Sequence, residues 1–175
     1  EIGIIIFKTY GEISNILSYD KIFELYKNHW FIREISFFWT RIFIRIDLTS
    51  RTLISLIEPN SCYAGFLSEL IFAADRSYMA EGEFEEYDDK EASIILSNSN
   101  FGNFLMSNDM SRLDTRFIGS PEQILLAKQN LEKHILAQEA HDLGLITFKF
   151  DDIDWDDEIR IFLEERSSFS PDSMV

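Results

Sequence analysis

Glu69 lies in the run Gly65-Phe66-Leu67-Ser68-Glu69-Leu70-Ile71-Phe72-Ala73-Ala74-Asp75, where it is the one ionisable side chain before Asp75. At helical spacing its neighbours are Phe66, Phe72 and Ala73, with Cys62 in the preceding turn. Apolar surroundings disfavour the charged carboxylate and lift its pKa toward neutrality, which suits a general acid or base working on a polarised carbonyl compound. The backbone N–H groups of Gly65 and Phe66, at the start of the same helix, are candidate oxyanion donors, because first-turn amides lack helical acceptors and face negative charge favourably. The competing reading is a buried ion pair with Arg76, Arg112 or Arg116. Both stay open at this level.

Other chemistries find less support. Cys62 could pair with His29, His134 or His141 as an activated nucleophile, but nothing local orients such a base, and a buried structural thiol fits better. The histidines lack zinc-ligand spacing. No GxGxxG or GxxxxGK[ST] loop occurs, and Gly65-Phe66-Leu67-Ser68 is not the GxSxG elbow. An EF-hand register begun at Asp154 puts Ile159 where glycine is required, so the acids of this stretch read instead as an N-cap at Asp154 with Asp156, Asp157 and Glu158 facing the helix dipole. The expectation is no metal.

Composition narrows the partners. The 175 residues are 46% hydrophobic and 14% aromatic, enough for one sizeable core. Thirty-one acidic against 16 basic side chains give a net charge of -15, which repels a phosphate backbone or an anionic bilayer, so neither nucleic acid nor membrane is expected. Arg41, Arg45 and Arg51 form a local basic cluster that leaves room for an anionic cofactor. A single cysteine excludes an internal disulfide and fits a cytoplasmic protein.

The elements that must carry these groups follow from periodicity. Residues 2–8 read as a strand buried on both faces, and apolar residues from Tyr19 to Ile46 recur at helical spacing, as one long helix or two joined ones. Leu53–Ile57 is a second strand, Arg76–Met79 a third and Ala92–Leu96 a further one. The stretch from Glu81 to Glu91 reads as an exposed acidic loop. Helices are expected over Ser107–Phe117, Pro121–Lys133 and Ala137–Asp142, then a stop at Gly144 and a strand over Leu145–Lys149. The class is α/β with parallel βαβ units. Residues 1–150 form the core, and 151–175 begin a C-terminal helical region. The opening in an apolar strand without Met reads as a piece of a longer protein.

A strand ending in a tight turn, then Gly65, Ser68-Glu69-Leu70 and Ala74-Asp75, resembles the oxyanion-helix motif of the crotonase (enoyl-CoA hydratase/isomerase) superfamily. Three stretches resemble, more narrowly, the ring-opening lyases of aerobic benzoate degradation. They are Ile57 to Gly65, Ala73 to Met79, and Asp151 to Trp155 continuing through Leu163-Glu164-Glu165-Arg166. The resemblance implies a crotonase-like ββα superhelix, incomplete at its N-terminal end, with C-terminal helices. It implies an acyl-CoA substrate, 2,3-epoxybenzoyl-CoA, opened with water and release of formate, and no separate cofactor. It also implies a first crotonase-like half in the same chain as partner, and a homo-oligomer. Glu69 matches the first catalytic glutamate, Phe66 stands where the oxyanion glycine is usual, and the second glutamate falls on Asn98, which can hydrogen-bond a water but cannot take its proton. The alternative is a degenerate half with a structural or dimerisation-like role, and the piece alone is expected to be inactive.

Overall fold

The computed structural model describes residues 3–84, 87 and 90–170. Its frame is a parallel sheet in the order β1 (Ile4–Phe7), β2 (Thr52–Ile57), β3 (Arg76–Ala80) and β4 (Phe148–Phe150). The register pairs Ile5 with Leu53, Ile54 with Arg76, and Met79 with Lys149. All six residues of β2 are buried, as its nearly continuous apolar run requires of a strand covered on both faces. Its polar members are satisfied inside: the Ser55 hydroxyl donates to the Leu70 carbonyl at 2.9 Å.

Between β1 and β2 the helical stretch, expected as one long helix or two joined ones, is two helices, α1 (Ile13–Leu25) and α2 (Trp30–Asp47), and the first begins six residues before Tyr19. The break falls at residues 26–29, where the His29 amide turns back to the Tyr26 carbonyl at 2.8 Å. No glycine or proline marks it. After β2 the chain passes through a 3₁₀ turn, Gly65–Ser68, directly into α3 (Glu69–Ala73). Asp75 then locks the entry to β3, accepting from the Leu53 amide at 2.7 Å and returning its own amide to the Leu53 carbonyl at 2.9 Å.

Several elements differ from expectation. Ala92–Leu96 is extended but forms only single bridges, from Ile95 to Ala64, Ile94 to Ile135 and Leu96 to Leu131, because its partners are split between the turn before Gly65 and the connection over residues 130–136, which joins two later helices. The helix expected over Ser107–Phe117 is confined to α4 (Arg112–Arg116). It starts at Ser111, whose hydroxyl oxygen accepts from the Asp114 amide, after a turn that puts Asp109 at φ +61°. Helix α5 (Pro121–Gln129) stops short of Lys133, and α6 (Ala137–Asp142) follows. Leu145 and Ile146 are core residues ahead of β4 rather than its first residues, so the strand is shorter and later than expected.

Helix α7 (Trp155–Ser167) has the three first-turn acids, but Asp154 makes no side-chain cap; Asp151 accepts from the Ile153 and Asp154 amides instead. Trp155 and Phe162 of α7 pack into the same core as β2 and β3. Part of the expected acidic loop, residues 85, 86, 88 and 89, lies outside the described residues. Beside it Phe84 is buried edge-on against Trp155, and Glu81 is ion-paired with Lys149 at 2.6 Å, so the segment is tied to the core at both. Among the described residues no helix is long and apolar enough to cross a membrane.

A second core, of Phe23, Phe43, Phe66 and Phe104, joins α1 and α2 to the turn that carries Glu69. Phe43 is its fully buried member. Replacing it, Phe43→Ala, is expected to lower unfolding free energy by about 3–5 kcal/mol, read as a shift of the urea midpoint at unchanged slope.

Candidate functional site

The residues singled out by the sequence meet around the turn Gly65–Ser68 and the start of α3. Glu69 is 1% exposed. One of its oxygens, Oε1, accepts from Asn100 Nδ2 at 2.7 Å; the other, Oε2, accepts from Arg112 Nη1 at 2.9 Å. Of the three arginines that could have paired with it, Arg112 does so. Arg76 lies over the Phe162 ring at 4.3 Å, and Arg116 donates to the Gly144 carbonyl at 2.7 Å.

Arg112 also clasps Asp47 at the end of α2, with Nε to Oδ1 at 2.9 Å and Nη2 to Oδ2 at 2.7 Å, and donates to the Phe104 carbonyl at 2.8 Å. Its guanidinium stands 5.1 Å from the Phe43 ring centre. Two carboxylates therefore share one cation in a site without water access. Desolvation outweighs Arg112 and Asn100 and pushes the Glu69 carboxyl up to about 7, with Asp47 adding to the rise.

The amides expected to face an oxyanion are both engaged within the chain. Gly65 N–H donates to the Ile95 carbonyl at 2.9 Å, and Phe66 N–H donates to Asp20 Oδ1 at 3.1 Å. Asp20, from α1, is buried against this turn, and its Oδ1 also accepts from the Ser99 hydroxyl at 2.6 Å. Because the Ser99 proton is committed there, the Ser97 hydroxyl is the donor in its 2.7 Å contact with Ser99. A carboxylate thus occupies the place on the Phe66 amide that a carbonyl oxygen of substrate would need. Gly65 makes this possible: its φ is +48°, and a Cβ there would stand 2.7 Å from Asp20 Cγ.

Phe66 itself points into the second core, edge-on to Phe23 at 5.3 Å and to Trp39 at 5.1 Å. Asn98 is exposed, on the rim of a cleft of about 430 Å³ that Phe23, Lys27, Arg33, Phe37 and Phe104 also line. The polar residue brought to Glu69 is Asn100, two positions on. Its Nδ2 also donates to the Gly65 carbonyl at 2.9 Å, and its Oδ1 accepts from the Ser97 amide. The signal that could have found it is the spacing Ser97-x-x-Asn100, a variant of the capping box, and the two residues do form that box. Asp20 carries no such signal. Of the possible thiol partners, His134 directs its Nδ1 to the Ser93 hydroxyl at 3.0 Å, and Cys62 is buried.

Benzoyl-CoA-dihydrodiol lyase of Aromatoleum evansii is 38% identical to this chain over all 175 residues, and the chain spans 31% of that protein's length. Among solved structures, an enoyl-CoA hydratase from Bacillus halodurans matches with a TM-score of 0.62 at 15% identity, covering 99% of this chain and 65% of that one. An enoyl-CoA hydratase from Bacillus anthracis matches with a TM-score of 0.58 at 19% identity, covering 82% and 50%. No protein-family model matches the chain. The fold is that of the enoyl-CoA hydratase, or crotonase, proteins.

Two outcomes follow from the site. In the unfolded chain Glu69 ionises near 4.5, whereas the folded chain keeps its proton to about 7. Between these values the folded state binds more protons, so this group's contribution to stability falls as pH rises from about 4.5 to about 7 and is level above. Urea titrations across that range are expected to show this part of the slope in the parent protein and its loss in Glu69→Gln. Gly65→Ala should cost more than about 1–3 kcal/mol, since backbone strain and the Asp20 clash add. Asp20→Ala in the same chain should recover part of that loss, a coupling read by a double-mutant cycle.

Proposed function

We propose that this chain is a structural, crotonase-fold segment of a ring-opening CoA-thioester lyase, acting in the cytoplasm on 2,3-epoxybenzoyl-CoA in aerobic benzoate degradation. The lyase reading is supported by identity over the whole chain to a protein whose name specifies a benzoyl-CoA-derived substrate. In that enzyme the thioester chemistry takes place outside this segment, and Glu69 and the Gly65 and Phe66 amides hold the fold, while Asn98 stays at the rim of the cleft.

The observation that carries the structural role is Asp20 on the Phe66 amide. A thioester oxygen gains from an oxyanion donor only if that N–H is free, pre-aimed and unshared. Here it already faces an ionisable carboxyl anchored by a second hydrogen bond from Ser99. Glu69 fails the corresponding requirement for a proton carrier. Both its oxygens are directed at fixed protein donors, and at 1% exposure it has no approach for substrate or water. Its elevated pKa is a product of burial and does not mark chemistry.

The opposing reading, with Glu69 as acid/base and Phe66 N–H as oxyanion donor, requires Asp20 and Arg112 both to withdraw during turnover. Glu69→Gln in the enzyme expressed from its whole gene separates the two. Gln keeps the shape and can still accept from Arg112, while its NH2 then meets Asn100 Nδ2 donor to donor at a cost in stability. Turnover of the benzoyl-CoA-derived substrate by the folded enzyme should therefore stay within about threefold of the parent, where loss of a general acid or base costs roughly a hundredfold or more. A loss of that larger size in the single-turnover rate of the folded enzyme overturns the structural role.

A further inference from the structure

Backbone groups on two sides fix the orientation of the Asn100 amide. Its Oδ1 accepts from the Ser97 N–H at 3.0 Å, and its Nδ2 donates to the Gly65 carbonyl at 2.9 Å. A backbone N–H only donates and a carbonyl only accepts, so the opposite orientation would set donor against donor at Ser97 and acceptor against acceptor at Gly65. The same Nδ2 donates to Glu69 Oε1 at 2.7 Å, while Oε2 accepts from Arg112 at 2.9 Å. Among the described residues, both side-chain partners of Glu69 are donors. These are the hydrogen bonds of an ionised carboxylate, which can only accept.

A proton on Glu69 does not fit them. Arg112 is permanently charged and presents its N–H to Oε2, so the proton is kept off that oxygen. On Oε1 it meets the Asn100 Nδ2 donor. The other acids nearby are engaged: Asp47 of α2 has both oxygens on Arg112, Asp114 of α4 accepts from the Ser111 hydroxyl, and Asp20 of α1 accepts from the Phe66 amide and Ser99. Neither β2 nor the turn Gly65–Ser68 carries an ionisable side chain. We propose that Glu69 and Asn100 form a proton-operated latch: when Glu69 takes a proton, Asn100 turns its amide over so that Oδ1 accepts it, releasing the Ser97 N–H and the Gly65 carbonyl. The Ser97 N–H belongs to the capping box that starts the 3₁₀ turn Asn98–Phe101. Opening the box loosens the segment whose Asn98, Asn103 and Phe104 line the cleft of about 430 Å³. Burial sets the range, since the Glu69 carboxyl is pushed up to about 7.

Hydrogen exchange in the enzyme expressed from its whole gene tests the latch, with each rate divided by the intrinsic rate of an unfolded peptide at the same pH. Protection of the Ser97 amide is expected to fall about tenfold between about pH 8 and about pH 6, the effect of one lost hydrogen bond, while protection in β2 does not fall. Global unfolding does not imitate this, because it would lower β2 together with Ser97, and the stability contributed by Glu69 itself rises on acidification. Glu69→Gln places a neutral NH2 donor against Asn100 at every pH, so the Ser97 amide should show the low protection at both pH values. Ser97 protection that is unchanged or higher at about pH 6 overturns the latch, as does a fall shared equally by β2 or one that persists in Glu69→Gln. If that variant does not fold, the comparison within the parent decides alone.

Discussion

The guanidinium of Arg112 is the point on which the two cores and the central turn depend. It is almost wholly buried and donates to Asp47 on α2, Glu69 on α3 and the Phe104 carbonyl. A buried cation of this kind is tolerated only when its donors are met by well-placed acceptors, and removing one acceptor from a buried pair costs roughly 3–5 kcal/mol. That demand fixes the end of α2 against the start of α3 and α4. Phe43, fully buried one turn before Asp47, gives the cation an aromatic face as well, so packing and charge constrain the same few residues.

A second polar knot, around Asp20, holds the opposite side of the turn. Asp20 draws α1 onto the Phe66 amide, and Ser99 ties the same carboxyl to the segment that also presents Asn100. Asn100 links the two knots, since one amide group reaches both the Gly65 carbonyl and Glu69. Every polar group lining the turn is thereby used by a neighbour within the chain. A catalytic site differs in this respect: it keeps donors aimed at a place the substrate will fill.

Much of the frame was legible because local pattern and tertiary role agree. Leu53–Ile57, read as an apolar buried strand, lies within the doubly covered strand Thr52–Ile57; Asp156, Asp157 and Glu158 gather in the first turn of α7 as the helix dipole favours. The helical spacing from Tyr19 onward identified α1 and α2 but not their break, because residues 26–29 contain no glycine or proline and the apolar rhythm continues through them. Ala92–Leu96 has the composition of a strand, yet whether such a segment joins a ladder depends on which distant segments pass beside it. The site was legible only where one residue dominates. Glu69 stands out against its apolar neighbours, and Arg112 was one of three arginines in view. Asp20 and Asn100 reach the turn across 46 and 31 positions, and an aspartate on an amphipathic helix gives no sign of whether it faces water or a buried amide.

The carboxylate at 69 and the glycine at 65 are the two features that most suggest thioester chemistry, and both have sufficient physical causes without it. Glu69 balances a cation that Asp47 alone would leave with an Nη1 donor short of its acceptor. Gly65 adopts φ +48° and leaves the space into which the Asp20 carboxyl fits. Phe66 completes the change in character. Its amide is turned to Asp20 while its ring fills the space between Phe23, Trp39 and Phe104, where a glycine would leave a void. Opening this turn to a thioester would therefore require displacing Asp20, uncovering Glu69 and disturbing an aromatic core together. The three are coupled through the same residues, so the closed turn acts as one packed unit.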